Sequence, residues 1–163
     1  VATYGDINRS TYTWFAGYYN GTGGALTLTM MATRYNAINV SNIAPDLLLT
    51  TPTVWSLYDG LLEPNRRFSN SPNADGSFEY LTYRGAKVMQ DQYCTAGYMY
   101  FLNMPTWEVQ TLKHPDFPTD ARGFAITPLR EPTDVDGHVG FLLWYGNVIC
   151  VNPRLNGVIR TIS

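Results

Sequence analysis

Two stretches of the chain repeat apolar residues with the spacing of an amphipathic helix. Behind a glycine-rich turn at 20–24, Thr27 is placed to cap a helix whose apolar positions recur at i, i+3, i+4 and i+7, namely Leu28, Met31, Ala32 and Tyr35. A second helix is predicted over 54–61, with Thr53 as its cap and Pro64 as its end. Each helix therefore has one face for burial against other elements.

The remaining apolar runs are short and rich in β-branched and aromatic residues, which is typical of strands. The segment 46–51 is predicted to be a fully buried strand that leads directly into the second helix. Further strands are predicted at 78–83, 86–91, 98–103, 123–127, 139–145, 148–151 and 157–162, with glycine turns at 84–85 and 95–97. Residues 105–137 hold five prolines and are otherwise expected to be an irregular or edge region. Further turns are predicted at 146–147 and 152–153. Strands with flanking helices indicate an α+β class.

Composition narrows the possible functions. The 163 residues are 45% apolar and 15% charged, so one packed domain is expected rather than a disordered chain. No apolar run approaches the roughly 18 residues of a membrane-spanning helix. The formal net charge of −2 argues against a dedicated nucleic-acid binder, since such domains carry a basic surface.

Sequence motifs for catalysis and for metal binding are absent or incomplete. The glycine-rich turn lacks the Gly-Lys-Ser/Thr of a phosphate loop, and no Gly-x-Ser-x-Gly nucleophile motif occurs. The acidic run at 134–138 lacks the closing Glu of a calcium loop, so an acidic surface turn is expected there. Cys94 and Cys150 are expected to be buried thiols, with a disulfide between them left open. No catalytic, cofactor or metal residue is assigned.

Large amphipathic side chains are in surplus. Twelve Tyr, four Trp and nine Arg exceed what one small core needs, and these types are enriched at buried protein contacts. The simpler explanation is that the tyrosines line the faces of sheets. Use at protein interfaces is the interpretation that we favour.

Several strings of the sequence occur in the order that one family shows. They are PDLLLT (45–50) before the helix, LLEPNRRF (61–68), FEYLTYRGAKV (78–88), YMYFLN (98–103) and YGNVICVNPR (145–154). In this order they resemble the major capsid proteins of tailed bacteriophages with the HK97-type fold. The resemblance implies a mixed sheet with flanking helices, the axial or A-domain, together with strands of the peripheral or P-domain.

The same resemblance implies a division of the chain into three parts. Residues 1–23 would be a segment arriving from the P-domain, 24–112 the A-domain-like core, and 113–163 a connecting region with strands returning to the P-domain. The family's N-terminal arm, extended loop and spine helix have no counterpart here. The chain is therefore expected to be the C-terminal portion of a subunit, and the subunit's own N-terminal half is one expected partner.

The function that the resemblance implies is a structural one without catalysis. Subunits would self-assemble, as pentamers and hexamers, into an icosahedral shell of a tailed phage or prophage. The shell would form in the bacterial cytoplasm and enclose double-stranded DNA by loose proximity only, without any membrane. Candidate contacts between subunits are Arg66, Arg67, Trp107, Arg122 and Arg154.

Two alternatives remain open from the residues. One is a virion decoration or tail-associated domain that docks on a shell rather than forming it. The other is a small carbohydrate-active hydrolase whose acids and aromatic rings line a sugar groove.

Overall fold

The computed structural model describes residues 3–21, 23–62, 81–133 and 136–163, and the candidate contacts Arg66 and Arg67 lie outside these ranges. The chain divides into two compact units, one of Val1–Thr106 with Asn152–Ser163 and one of Trp107–Val151. The A-domain and P-domain boundaries expected at 23 and 112 stay a prediction. In chain order the elements are β1 (Thr3–Tyr4), β2 (Ile7–Asn8), β3 (Tyr18–Asn20), α1 (Leu28–Ile38), β4 (Leu47–Thr50), α2 (Pro52–Leu62), β5 (Leu81–Tyr83), β6 (Ala86–Gln90), β7 (Met99–Leu102), β8 (Trp107–Thr111), β9 (Phe124–Ile126), β10 (Leu142–Trp144), β11 (Gly146–Cys150) and β12 (Gly157–Ile159).

The first unit is built on a six-stranded mixed sheet with the order β3-β12-β7-β4-β6-β5. β4 pairs in parallel with β6 and antiparallel with β7, while β12 lies antiparallel to β7 and parallel to β3. β5 and β6 form a hairpin whose turn residues Arg84 and Gly85 have φ angles of 49° and 88°. Two successive positive φ angles are what a two-residue hairpin turn of type I′ requires. The predicted α+β class, with a mixed sheet and two helices, is confirmed.

Both predicted helices form, and each begins at a threonine. The Thr27 hydroxyl accepts a hydrogen bond from the Met30 backbone N–H at 3.1 Å, so the predicted cap of α1 is confirmed. For α2 the prediction was wrong by two residues. The Thr51 hydroxyl, not that of Thr53, accepts the Val54 N–H, because Pro52 fits the first helical position, where no N–H is needed.

The core of this unit lies between the helices and the sheet. Its fully buried side chains come from both helices and from the central strands β4, β7 and β12, and the largest include Tyr58, Phe101, Met31, Ile38 and Leu48. Burial of one such side chain stabilises a fold by about 1.5–3 kcal/mol. β4 was predicted to be fully buried, but Leu47 and Leu49 are only half-buried, since one face of the strand lies outside the core.

A buried polar network joins residues 152–156, just before β12, to residues 103–106, just after β7. The Asn156 side-chain oxygen accepts the Asn103 backbone N–H at 2.9 Å, and the Asn156 amide donates to the Thr106 hydroxyl at 2.9 Å and to the Asn152 carbonyl at 3.0 Å. The Asn103 side chain donates in turn to the Ala44 carbonyl. Polar groups at this depth are tolerated because their hydrogen bonds are made.

The unit of Trp107–Val151 holds two antiparallel ribbons, β8 with β11 and β9 with β10. β8 falls in the proline-rich stretch that was expected to be an irregular or edge region with its strand at 123–127, and β11 begins at Gly146, in the turn predicted at 146–147. Both expectations were wrong: the prolines lie outside 107–111, and residues 146–147 are paired with 110–111. β9 confirms the strand predicted at 123–127. Among the described residues, no helix has the length and apolarity needed to cross a membrane.

Neither Cys94 nor Cys150 forms a disulfide bond. Cys150 is buried as expected, whereas Cys94 is only partly buried. Burial, reinforced by the nearby Asp91 carboxylate, raises the pKa of the Cys94 thiol. The thiol form is therefore favoured, and Cys94 is a poor nucleophile.

Candidate assembly surface

The β8–β11 ribbon has an apolar face that is open to solvent except at the buried Cys150. Pairing places Trp107 opposite Cys150 and Val109 opposite Val148, and alternation along the strands puts these four side chains on one face. Val109 and Val148 are 63% and 55% exposed. The opposite face is more polar, with Gln110 opposite Asn147. Exposed apolar pairs on one face of a ribbon indicate a layer that covers it.

The β9–β10 ribbon repeats this arrangement. Phe124 pairs with Trp144 and Ile126 with Leu142, all on one face, and Ile126 and Leu142 are 64% and 65% exposed. The intervening residue Ala125 faces the other way and is buried. Two-stranded ribbons are marginal in water on their own, so apolar residues placed outward in both are costly unless a partner covers them.

Trp144 is held in a defined position at the junction of β10 and β11. Its indole N–H donates to the Arg122 carbonyl at 3.2 Å, and its ring centroid lies 6.5 Å from that of Phe124. Gly146 lies beneath the ring, where a Cβ would come within 2.3 Å of the indole. Glycine is therefore required at 146 for this placement of the indole. Beside it opens a depression of about 470 Å³ lined by residues 110–112 and 144–147.

His114, one of two histidines, has a packing role in this unit. Its ring lies 4.7 Å from Phe117 and 5.5 Å from Tyr145, measured between centroids, and its Nδ1 accepts the Asp116 backbone N–H at 3.1 Å. His138 approaches Glu131 at 3.9 Å, and both side chains are exposed. Across the part of the chain that the structure describes, no three His, Cys, Asp or Glu side chains converge as a metal site would need.

The structure places three of the five candidate contacts. Trp107, 37% exposed, lies on the apolar face of β8, and Arg122 lies in the turn that receives the Trp144 indole. Arg154 belongs to the other unit, where its guanidinium donates to the Ala37 carbonyl at 3.2 Å. Trp107 and Arg122 thus fall in one unit, and Arg154 makes contacts within its own chain. Whether any of them touches a neighbouring subunit stays a prediction.

The aliphatic residues on the apolar faces of the two ribbons were not predicted from the sequence. The alternation of Trp107, Val109 and Thr111 with polar residues was visible in the sequence. It was overlooked because the surrounding prolines favoured an irregular segment. The alternation of apolar and polar residues over 107–111, considered without the neighbouring prolines, would have predicted both β8 and its apolar face.

Comparison with known proteins gives the fold. No family model matches the chain, and no curated protein matches it by sequence. Among solved structures, it is similar to a chain of the cyanophage A-1(L) capsid asymmetric unit, with a TM-score of 0.63 and 18% identity over 99% of this chain and 56% of that one. It is also similar to a chain of the holo-SrpI encapsulin complex from Synechococcus elongatus PCC 7942, with a TM-score of 0.55 and 13% identity over 90% and 52%. The chain spans about half the length of each, and it has the HK97-type capsid fold.

Proposed function

We propose that this chain is a non-enzymatic shell subunit that self-assembles into the icosahedral capsid of a tailed phage or prophage. The observation that carries this proposal is the outward apolar face of the two ribbons in 107–151. The similarity to a capsid chain and to an encapsulin chain supports it. Assembly takes place in the bacterial cytoplasm, and the shell consists of pentamers and hexamers that enclose double-stranded DNA.

The energetics of the face suit assembly. Val109, Val148, Ile126 and Leu142 are each more than half exposed. Covering such side chains yields about 25 cal/mol for each Å² of apolar surface removed from water, summed over every subunit of a closed shell. The modest net charge of −2 is compatible with a wall that surrounds DNA without binding it tightly.

Assembly is tested by expressing the complete parent gene and examining the product by negative-stain electron microscopy. Wild-type protein is expected to form closed shells. Val148→Lys places a charge on the apolar face and is expected to abolish shells, whereas Gln110→Lys, on the opposite face of the same ribbon, is expected to keep them. Monomers of the wild type at every salt concentration would overturn the proposal.

The same variants separate the two partners that could cover the face. If a neighbouring subunit covers it, Val148→Lys gives a folded monomer with normal circular dichroism. If the N-terminal half of the same subunit covers it, Val148→Lys lowers the stability of the monomer itself. Shells that form only when a second coat protein is added would favour a decoration domain instead.

The contents of the shell are a separate part of the proposal. DNA that survives nuclease treatment inside purified particles is the expected result for a phage capsid. Particles that enclose protein and no DNA would favour a shell of the encapsulin kind, since one of the similar structures is an encapsulin complex.

A further inference from the structure

Arg34 is a buried cation in the first unit. It lies on α1, and its side-chain stem packs on β12, where a Cβ at Gly157 would come within 3.2 Å of the Arg34 Cδ. Its guanidinium carbon lies 5.9 Å from the centre of the Tyr18 ring. Only 9% of the residue is exposed. An arginine is rarely buried to this extent unless its charge has a partner.

One guanidinium nitrogen of Arg34, the Nε, has no hydrogen-bond partner among the described residues. Its Nε is sealed from solvent and unpartnered, so the exposed surface that remains belongs to other atoms of the side chain. A buried donor that finds no acceptor costs about 1–3 kcal/mol, and more when it is charged. Burial accordingly lowers the pKa of Arg34, against an opposing effect of the Tyr18 hydroxyl.

A second guanidinium lies close to the same tyrosine ring. The Arg154 guanidinium carbon lies 4.0 Å from the centre of the same Tyr18 ring, and one of its terminal nitrogens donates to the Ala37 carbonyl. Within the described parts of the chain, neither Arg34 nor Arg154 has a carboxylate at ion-pair distance. Two guanidinium groups that both approach one ring, without a carboxylate partner, favour an anion in their vicinity.

We propose that Arg34, together with Arg154 and Tyr18, binds an oxyanion, either a carboxylate or a phosphate. The planar fork of a guanidinium matches the two oxygens of such a group, and partial burial strengthens the pairing. Two sources have this chemistry: an acidic side chain of a second copy of the chain, and free inorganic phosphate. Anion binding by the unassembled protein does not depend on the shell function, whereas the choice between the two sources rests on it.

Thermal unfolding of the unassembled full-length protein tests the site. Melting temperatures are measured at pH 7 in sodium chloride, sodium phosphate and sodium acetate at matched ionic strength. At a ligand concentration ten times Kd, a bound anion raises Tm by roughly 3 °C. Phosphate stabilises most proteins slightly, so the quantity of interest is the increment of the wild type over that of Arg34→Met.

The variants make the result decisive. Arg34→Met keeps the stem and removes the donors, so the anion increment is expected to vanish, and Arg154→Met is expected to reduce it. Arg84→Met is the matched control, because exposed Arg84 already donates to the Asn36 side-chain oxygen at 2.7 Å, and it should keep the wild-type increment. If Arg34→Met does not fold, Arg34→Lys, which keeps the charge and loses the fork, is expected to show a smaller increment.

Equal increments in wild type and in the Arg34 variants would overturn the proposal and leave water as the only occupant. The two sources are distinguished on assembled particles. If the increment persists in particles, the site takes free phosphate. If it disappears in particles but is present in the unassembled protein, a neighbour's carboxylate fills the site.

Discussion

The buried network around Asn156 offers a direct test of the fold in Asn156→Ala. The substitution removes the acceptor of the Asn103 backbone N–H and the donor to Thr106 and Asn152. Asn156 is 8% exposed and Asn103 5%, so water does not readily replace the lost partner. A buried N–H left without an acceptor costs about 1–3 kcal/mol, and the two lost donations add about 1 kcal/mol. The expected loss is therefore about 2–4 kcal/mol.

Urea unfolding of the unassembled protein, followed by tryptophan fluorescence, measures this loss as a lower midpoint with an unchanged slope. In a chain of this length the loss corresponds to a fall in Tm of roughly 5–15 °C. Asn147→Ala is the control, because Asn147 is exposed on β11, and a change within about 0.5 kcal/mol is expected. A comparably small effect of Asn156→Ala would refute the idea that this network links residues 152–156 to residues 103–106.

Two further predictions concern backbone conformation and pH. Gly97→Ala is expected to destabilise the fold by about 1–3 kcal/mol in urea unfolding, because φ is +71° and a Cβ would lie 2.9 Å from the Ile162 carbonyl oxygen. Gly60→Ala, on α2 with open space around it, is expected to stabilise the fold by about 0.5–1 kcal/mol. The reverse order of stabilities would contradict this reasoning. Burial, and then the neighbouring Tyr83, raises the pKa of Tyr58 above 10.0, so the folded state keeps a proton that the unfolded state releases. Stability is thus expected to fall as pH rises above about 10. Tyr58→Phe, which also loses the hydrogen bond to the Thr82 carbonyl, should flatten that fall, and an unchanged slope would contradict the assignment.

Local signals in the sequence predicted the elements of the first unit well. The Thr27 cap and the Arg84-Gly85 turn depend on a few adjacent residues, and both formed as expected. The misplaced cap of α2 came from two threonines on either side of Pro52. Its ring sets φ for the first helical turn, and that chemistry selects Thr51.

Which strands pair across long stretches of chain could not be predicted from the sequence, for a physical reason. β12 lies between β3 and β7, more than 130 residues from one partner along the chain and more than 50 from the other. No local pattern selects such partners, because the choice depends on the burial of all the strands together. The Tyr18, Arg34 and Arg154 cluster follows from that same pairing and was equally invisible. Arg154 was predicted as a contact between subunits and not as a member of this cluster.

The two units differ in how many apolar side chains they bury. The first unit buries a large apolar cluster, whereas in the described part of 107–151 the buried apolar residues are Ala125 and Cys150. Two buried small residues supply far less than the conformational entropy that some forty ordered residues cost. This unit therefore depends on what covers its ribbons for part of its order. Under the shell function proposed above, we expect assembly and the final folding of 107–151 to be one coupled event.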